Sequence, residues 1–370
     1  MKFSLFYEMQ ISHPTRPSET QLFHDCVTQV ELADQLGYHC IWEVEHHGLF
    51  EYSHSSAPEV FLSFVAARTK NVRVGHGITL TPHRYNHPIR IAERIATLDI
   101  LSGGRVNWGS GKSSSLTEQL AFENDVSQLH AQWLEALDMI PRMWQQDVFQ
   151  YKGTFFDVPP IQVIPKPVQQ PHPPIFAACS KPESAVAVGQ LGIGALNFSI
   201  GNDDYLGRKV DDYRAAVRDA NPAIYQKNDH FACTPVTLCL PDDRKACRYG
   251  MRGALFFAEA LGTYYFSGKR PIGPLEEINR EFMRDDDLDD AMAFRGADDA
   301  PAMNIIGDPA HCREIVSRFE RAGVDEIICV MQTGTVPHEL VMESLRTFGE
   351  QVIPHFSTDT TMERRAADPG

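Results

Sequence analysis

Four short segments hold most of the residues that could do chemistry. The first, Glu43-Val44-Glu45-His46-His47, sets two carboxylates and two imidazoles within five residues. Histidine titrates near neutrality, so one of these rings could serve as a general acid or base. Neighbouring strand residues point to opposite faces, so only one of His46 and His47 can reach a common site. No further ligand follows at metal spacing, and no metal is expected; a buried structural histidine is the alternative reading. The second segment, 101–115 (LSGGRVNWGSGKSSS), reads as a turn, a short strand at 105–108 and a glycine-rich exit. Gly109 and Gly111 let backbone N–H groups approach a ligand, and Lys112 adds a cation beside Ser113, Ser114 and Ser115, a composition suited to an anion. It is neither a P-loop, because Val106 stands where the first glycine belongs, nor a dinucleotide fingerprint, because Ser114 replaces the third glycine. A ligand-free strand-to-helix loop is the other reading. The third, Cys179 to Ser184, sets Ser180 just before a helix opened by Pro182, either as an anion ligand or as a helix cap. The fourth, Val74-Gly75-His76-Gly77-Ile78, puts glycines inside a strand, a mark of close backbone approach or a bulge.

Charge and composition narrow the partners. The 370 residues carry a net charge of -15, which repels nucleic acid and anionic membrane, since both require clustered Lys/Arg. An anionic ligand therefore needs a local basic pocket, which directs attention to Lys112. Hydrophobic residues make up 43% and charged residues 22%, the balance of a globular protein with a sizeable core. The eight cysteines (26, 40, 179, 233, 239, 247, 312, 329) are scattered without a Cys-x-x-Cys pair, as expected of free thiols in a reducing cytoplasm. The opening MKFSLFYEMQ reads as a first strand rather than a signal peptide, its apolar run being broken by Glu8 and Gln10. No apolar run reaches the ~18 residues of a membrane span.

These segments need a scaffold, and the hydrophobic periodicity supplies one. Strands are expected at 3–9, 40–45, 72–80, 105–108, 175–179, 195–200, 231–240 and 326–331, alternating with helices at 19–36, 58–68, 88–101, 129–144, 182–191, 205–220, 242–260, 309–322 and 338–351. Gly37 ends the first helix as a cap. Residues 149–160 (FQYKGTFFDVPP) break the rhythm as a β-hairpin. The eightfold alternation favours a single α/β unit, a closed (β/α)8 TIM barrel over residues 1–356, with a flexible polar tail at 357–370. Residues 262–303 lack a clear period and carry the charge run RDDDLDD at 284–290. That length of irregular chain is expected to form a mobile cap over the barrel mouth. In such barrels the active site lies at the C-terminal ends of the strands, where three of the four segments fall and the fourth ends.

Taken in order, EVEHHG at 43–48, VRVGHGITLTP at 72–82, HPIRIAERIATLDILSGGRVNWGSGK at 87–112, FAACSKPESA at 176–185 and AGVDEIICVMQTG at 322–334 resemble the bacterial-luciferase-like family of flavin-dependent monooxygenases. The resemblance spans nearly the whole chain. It implies a TIM barrel that binds reduced FMN (FMNH2), delivered by a separate NAD(P)H:flavin reductase, and reacts it with O2 to a C4a-(hydro)peroxyflavin. That species would oxygenate an aldehyde, a ketone or an activated carbon of a small organic molecule.

Carried over position by position, the resemblance makes His46 the catalytic histidine and Glu45 its neighbour. Lys112 stands where the family usually has an arginine on the FMN phosphate. Ser180, with Lys181, Glu183 and Ser184, matches a second phosphate clamp. Gly77 and Ile78 match a non-prolyl cis peptide beneath the isoalloxazine ring, and Asn107 lies in the fourth-strand segment below it. Gly111 stands where the light-emitting luciferase subunit has a reactive cysteine, so no light emission is expected. The scattered thiols make a cytoplasmic protein the expectation, and the resemblance further implies a homodimer or higher homo-oligomer, the dimer joined through the helices that follow the first three strands. Two alternatives share its scaffold, an F420-dependent hydride-transfer oxidoreductase and a non-catalytic flavin-binding subunit.

Overall fold

Eight parallel strands close into a (β/α)8 TIM barrel in the computed structural model, which describes residues 1–179, 182–199, 201–275, 288–295 and 303–356. Around the ring run β1 (Lys2–Tyr7), β2 (Cys40–Glu43), β3 (Arg73–Leu80), β4 (Val106–Gly111), β7 (Ile175–Cys179), β8 (Gly194–Phe198), β9 (Phe231–Thr234) and β12 (Glu326–Cys329), with β12 pairing back onto β1. The helices α1 (Arg16–Leu36), α2 (Pro58–Arg68), α3 (Pro88–Leu101), α5 (Leu129–Gln145), α6 (Pro182–Leu191), α7 (Asp203–Asp219), α8 (Asp243–Tyr265), α10 (Pro309–Arg321) and α11 (His338–Gln351) follow the rhythm read from the sequence. The expected hairpin is β5 (Phe149–Lys152) paired antiparallel with β6 (Asp157–Ile161). The tail 357–370 and residues 276–287 and 296–302 lie outside the described residues; Leu288–Phe294 is a helix, α9.

Local chemistry explains the boundaries. Thr15 and Ser18 form a reciprocal capping box at the start of α1, and Gly37, at φ 83°, ends it in the left-handed region. Three expectations are corrected. Residues 231–240 are two strands, not one: β9 ends at Thr234, and β10 (Thr237–Cys239) leaves the barrel to pair with β11 (Ile305–Gly307). Pro235, which has no N–H to give to a ladder, stands at the break. Second, β4 continues through the glycine-rich segment to Gly111, so the first three residues of the presumed exit loop are strand. Third, a short helix unanticipated from the sequence, α4 (Leu116–Ala121), follows it.

The inner wall between β3 and β4 is built from glycine. The register slips between His76 and Thr79, a bulge that sets the Ile78 side chain against Gly109 and Gly111 of β4 and Gly77 over Trp42. A Cβ at Gly109 would sit 2.2 Å from the His76 carbonyl oxygen, and one at Gly111 would sit 2.6 Å from Ile78 Cδ1. The glycines thus admit an approach between strands that no side chain allows. Cis peptides among the described residues precede Pro165 and Pro171 only, so the one expected at Gly77–Ile78 is replaced here by the bulge.

The opposite end of the barrel is plugged by polar groups. Glu326 accepts from Ser4 Oγ at 2.5 Å, Trp42 Nε1 at 2.8 Å and His230 Nε2 at 2.8 Å. Above it Trp42 is fully buried and meets Phe176 edge to face at 5.0 Å. This floor separates the mouth from solvent below and leaves the C-terminal strand ends as the open face.

Candidate active site

Several chain segments converge on the ring of His46. β1 runs on into Glu8, which is buried, and the chain turns at Met9 with φ 56°. The exit of β2 folds back so that the His46 N–H reaches the Ser55 carbonyl at 2.9 Å, which fixes the histidine on the mouth side. After β4, Ser113 adopts the left-handed region at φ 69°, a conformation worth noting in a residue with a Cβ. Its hydroxyl donates to Glu118 Oε2 at 2.7 Å, and α4 thereby delivers Glu118 beneath the ring.

His46 Nδ1 lies 2.8 Å from Glu118 Oε1, and His46 Nε2 lies 2.8 Å from the Tyr265 hydroxyl and 3.6 Å from Glu8 Oε2. The same Glu118 oxygen accepts the His47 N–H at 3.0 Å. Tyr52 donates its hydroxyl to Glu8 Oε1 at 2.8 Å, and its ring lies 5.9 Å from that of Tyr265.

Burial opposes a charge on His46, but Glu118, and after it Glu8, outweigh burial and raise the ring's pKa to about 9. Burial raises Glu8 to about 7, against His46 and the Tyr52 hydroxyl, which lower it. Glu118 responds the other way. Burial pushes its pKa up, yet His46 and the donors Ser113 and His47 hold it below the usual carboxylate range. At neutral pH the ring is therefore an imidazolium clamped to a carboxylate. His76 provides a contrast within the same protein. It is equally enclosed, neither ring nitrogen has a hydrogen-bond partner among the described residues, and burial lowers it to about 4.

Of the residues singled out from the sequence, His46 stands at the centre. Glu45 is beside it but faces away, accepting the Leu80 N–H and the Asn86 amide, each at 2.8 Å, so that it ties the end of β2 to that of β3. His47 turns aside to pack on Phe122 at 4.8 Å; β2 ends at Glu43, so the loop after it, not strand alternation, separates the two rings. Gly77, Ile78 and Gly111 line the β3–β4 wall. Lys112 leaves the end of β4 exposed and without a partner among the described residues. Asn107 is not at the mouth. It is the second residue of β4, bonded to Arg73 Nε at 2.9 Å near the floor, because β4 runs four residues beyond it. Glu183 and Ser184 open α6 at the rim, Glu183 exposed, while Ser180 and Lys181 lie outside the described residues. Glu8, Tyr52, Glu118 and Tyr265 were not anticipated. The only sequence signal for Glu8 is a carboxylate at the end of an apolar strand, and Tyr265 is 219 residues from His46. Tyr265 and Leu275, whose N–H reaches Glu51 Oε2 at 2.6 Å, bring the start of the 262–303 segment onto the mouth.

Against this geometry stand the comparisons with known proteins. A family model described as luciferase-like monooxygenase matches residues 1–326. The chain belongs to that family. It is an enzyme of the luciferase-like monooxygenases, and its barrel is theirs. It is 33% identical, over 99% of its own length and 98% of the other, to the oxygenase component of a flavin-dependent trigonelline monooxygenase of Acinetobacter baylyi. It is also 31% identical to an F420-dependent hydroxymycolic acid dehydrogenase of Mycobacterium tuberculosis, across 45% of this chain and 47% of that one. Among solved structures it is similar to the monooxygenase RslO1 of Streptomyces bottropensis, with a TM-score of 0.80 at 26% identity over 96% of this chain and 100% of that one. Among the described residues no helix is long and apolar enough to cross a membrane, and no cluster of His, Cys, Asp and Glu could hold a metal.

Proposed function

We propose that this protein is the oxygenase component of a two-component monooxygenase, using reduced FMN supplied by a separate NAD(P)H:flavin reductase, and O2, to oxygenate a small organic substrate. The observation that carries the reading is the buried ring of His46, held between Glu118 and Tyr265 at the mouth beside the glycines of β3 and β4. The full-length similarity to an oxygenase component supports the separate reductase.

The residues present fit a flavin. Gly77 carries no side chain and has nothing nearer than 3.4 Å to where one would begin, while Gly109 and Gly111 let the Ile78 side chain pack close on β4, so a flat ring could lie over the Gly77–Ile78 backbone. Lys112, exposed at the end of β4, would hold the phosphate as a point charge, with the first turn of α6 offering N–H groups from the other side. When bound, reduced flavin supplies the electrons that activate O2 for transfer of one oxygen atom to the substrate and one to water.

The chain's own contribution is electrostatic and protonic. His46, charged at neutral pH, presents Nε2–H toward the mouth, where it stabilises negative charge developing on oxygen and donates a proton to it. Glu118 sets that charge and orients the ring through Nδ1. Glu45 acts as a positioning residue, its carboxylate fixing the ends of β2 and β3. Tyr265 and Leu275, at the start of the 262–303 segment, would help exclude water from the mouth. Val60 and Phe64, exposed one turn apart on α2, with Phe23 of α1, form the apolar face through which two copies would pair.

The cofactor is tested by anaerobic titration of the purified protein with reduced FMN and, separately, with reduced F420, followed by O2. Tight binding of reduced FMN and a reoxidation whose course the protein alters are expected. Binding of F420 alone would replace this reading with hydride transfer to or from F420; the mycobacterial relative is named an F420-dependent dehydrogenase. Binding of flavin with no effect on its reaction would indicate a non-catalytic subunit.

A further inference from the structure

Glu8 is the one carboxylate of this site with an oxygen left bare. Its Oε1 accepts from Tyr52, whereas its Oε2 is buried without a hydrogen-bond partner among the described residues, 3.6 Å from His46 Nε2. The ring is faced by Glu8 from the end of β1, by Tyr52 from the loop before α2, by Glu118 from α4 and by Tyr265 from the end of α8, while Glu45 on its own strand exit adds negative charge nearby with its carboxylate turned to Leu80 and Asn86. Glu118 is satisfied by three donors, namely Ser113 Oγ, the His47 N–H and the ring. Glu45 is satisfied by the Leu80 N–H and Asn86. If His46 is charged and both Glu8 and Glu118 are ionised, the buried unit carries a net negative charge, which a low-dielectric interior resists. The unit therefore retains an additional proton, and the carboxylate with one donor and one bare oxygen is where that proton rests.

We propose that Glu8 is the proton reservoir of the site, recharging His46 each time the ring gives up its proton at the mouth. The proposal rests on the acid role assigned to His46 above. In the transfer, the Nε2–H bond of His46 breaks and the proton passes to an oxygen of the reacting molecule. The vacated Nε2 lone pair takes the proton of Glu8 Oε2–H, leaving a carboxylate that the Tyr52 hydroxyl stabilises by donation. No electrons change hands, and Glu8 regains its proton from water when the site next opens. Tyr265 is the gate on this exchange, because its hydroxyl occupies Nε2 and must yield it to the reacting molecule. Burial raises Glu8 to about 7, close to working pH, which suits a group that must both hold and release a proton. Glu8 acts through His46 and is a positioning residue, not a catalytic one.

The test is a side-chain NMR titration of the cofactor-free protein, following the His46 ring nitrogens and the Glu8 carboxyl carbon, in the wild type and in Glu8→Gln. Glutamine still accepts from Tyr52 but cannot ionise. In the wild type a neutral inflection of His46 should coincide with ionisation of Glu8, as linked sites require. In Glu8→Gln that inflection should vanish and the proton affinity of His46 should fall at least about tenfold. An unchanged His46 titration, or a Glu8 carboxyl that ionises in the ordinary acid range, overturns the proposal. Tyr52→Phe provides a second variant that keeps the charge and removes the donor. There Glu8 should ionise at higher pH, and no movement of its step counts against the reservoir.

Stopped-flow reoxidation of reduced FMN by O2 separates this inference from the reading beneath it. Glu8→Gln should lose the neutral limb of the pH profile and slow the reaction about tenfold above it. If His46→Ala alters the reaction while Glu8→Gln reproduces the wild-type profile, the reservoir falls and the role of His46 stands. If His46→Ala is itself indistinguishable from the wild type, the functional reading falls.

Discussion

Replacing Glu118 by Gln probes the origin of the His46 charge most directly. The geometry tolerates the change. The Gln carbonyl oxygen can accept the His46 and His47 donors at 2.8 and 3.0 Å, and its amide can donate to Ser113 Oγ, now 2.7 Å from Oε2. Only the charge is lost. His46 is raised to about 9, and His76, equally enclosed but hydrogen-bonded to no carboxylate among the described residues and with the pull of Glu59 opposed by Arg94, lies at about 4, so the carboxylates in contact with His46 account for the gap. Glu118 is the largest favourable contributor, and its removal should lower His46 below about 7, a loss of roughly 3 kcal/mol at ~1.4 kcal/mol per pH unit. At pH ~7.5 the protonated fraction then falls from roughly 97% to below roughly 25%. The assay is the pH dependence of the His46 ring nitrogen resonances, with unfolding by urea as a second readout. Because the folded pKa is raised, His46 adds stability that is full below about 6.5 and is lost as pH rises through about 9. Glu118→Gln should abolish this alkaline loss. A variant whose His46 still titrates near 9 would show that Glu118 does not set the charge, and the electrostatic account of the site would be wrong.

Other consequences can be measured independently. Lys112→Ala should weaken reduced FMN about 10- to 150-fold by calorimetry, the worth of one charge-assisted hydrogen bond, while leaving riboflavin, which lacks the phosphate, unaffected; equal losses for both would remove Lys112 from the phosphate site. Glu326 is held at about 2, because His230 and Ser4 outweigh its burial, so its roughly 3 kcal/mol of stability is present above about 4.5 and is lost as pH falls through about 2. Glu326→Gln should therefore unfold more easily in urea at neutral pH and lose that acid-dependent component. Gly109→Ala should cost more stability than Gly111→Ala, by roughly 1–3 kcal/mol, since its Cβ meets the His76 backbone at 2.2 Å whereas that of residue 111 meets the movable tip of Ile78. Val60→Asp with Phe64→Asp should convert a dimer to monomers in sedimentation without lowering the melting temperature; unchanged sedimentation would place the interface elsewhere.

What the sequence determined by itself is the part of the protein governed by local chemistry. The alternation of strand and helix, the caps at Thr15 and Gly37 and the 149–160 hairpin follow from periodicity and turn residues a few positions apart. The His46–His47 pair was legible for the same reason, a titratable ring at the end of a recognisable strand, and the family resemblance chose His46. The tertiary structure decided the rest. The partners of His46 lie 38, 72 and 219 residues away, as Glu8, Glu118 and Tyr265, and only closure of the barrel brings the end of β1, α4 and the end of α8 that carry them onto one ring. The extension of β4 to Gly111 and the bulge at Gly77 and Ile78 likewise arise from how closely two strands pack, a property of the pair that neither segment expresses alone. The state of His46 follows from the same enclosure: burial without a carboxylate partner leaves His76 neutral, whereas burial against Glu118 makes His46 a cation.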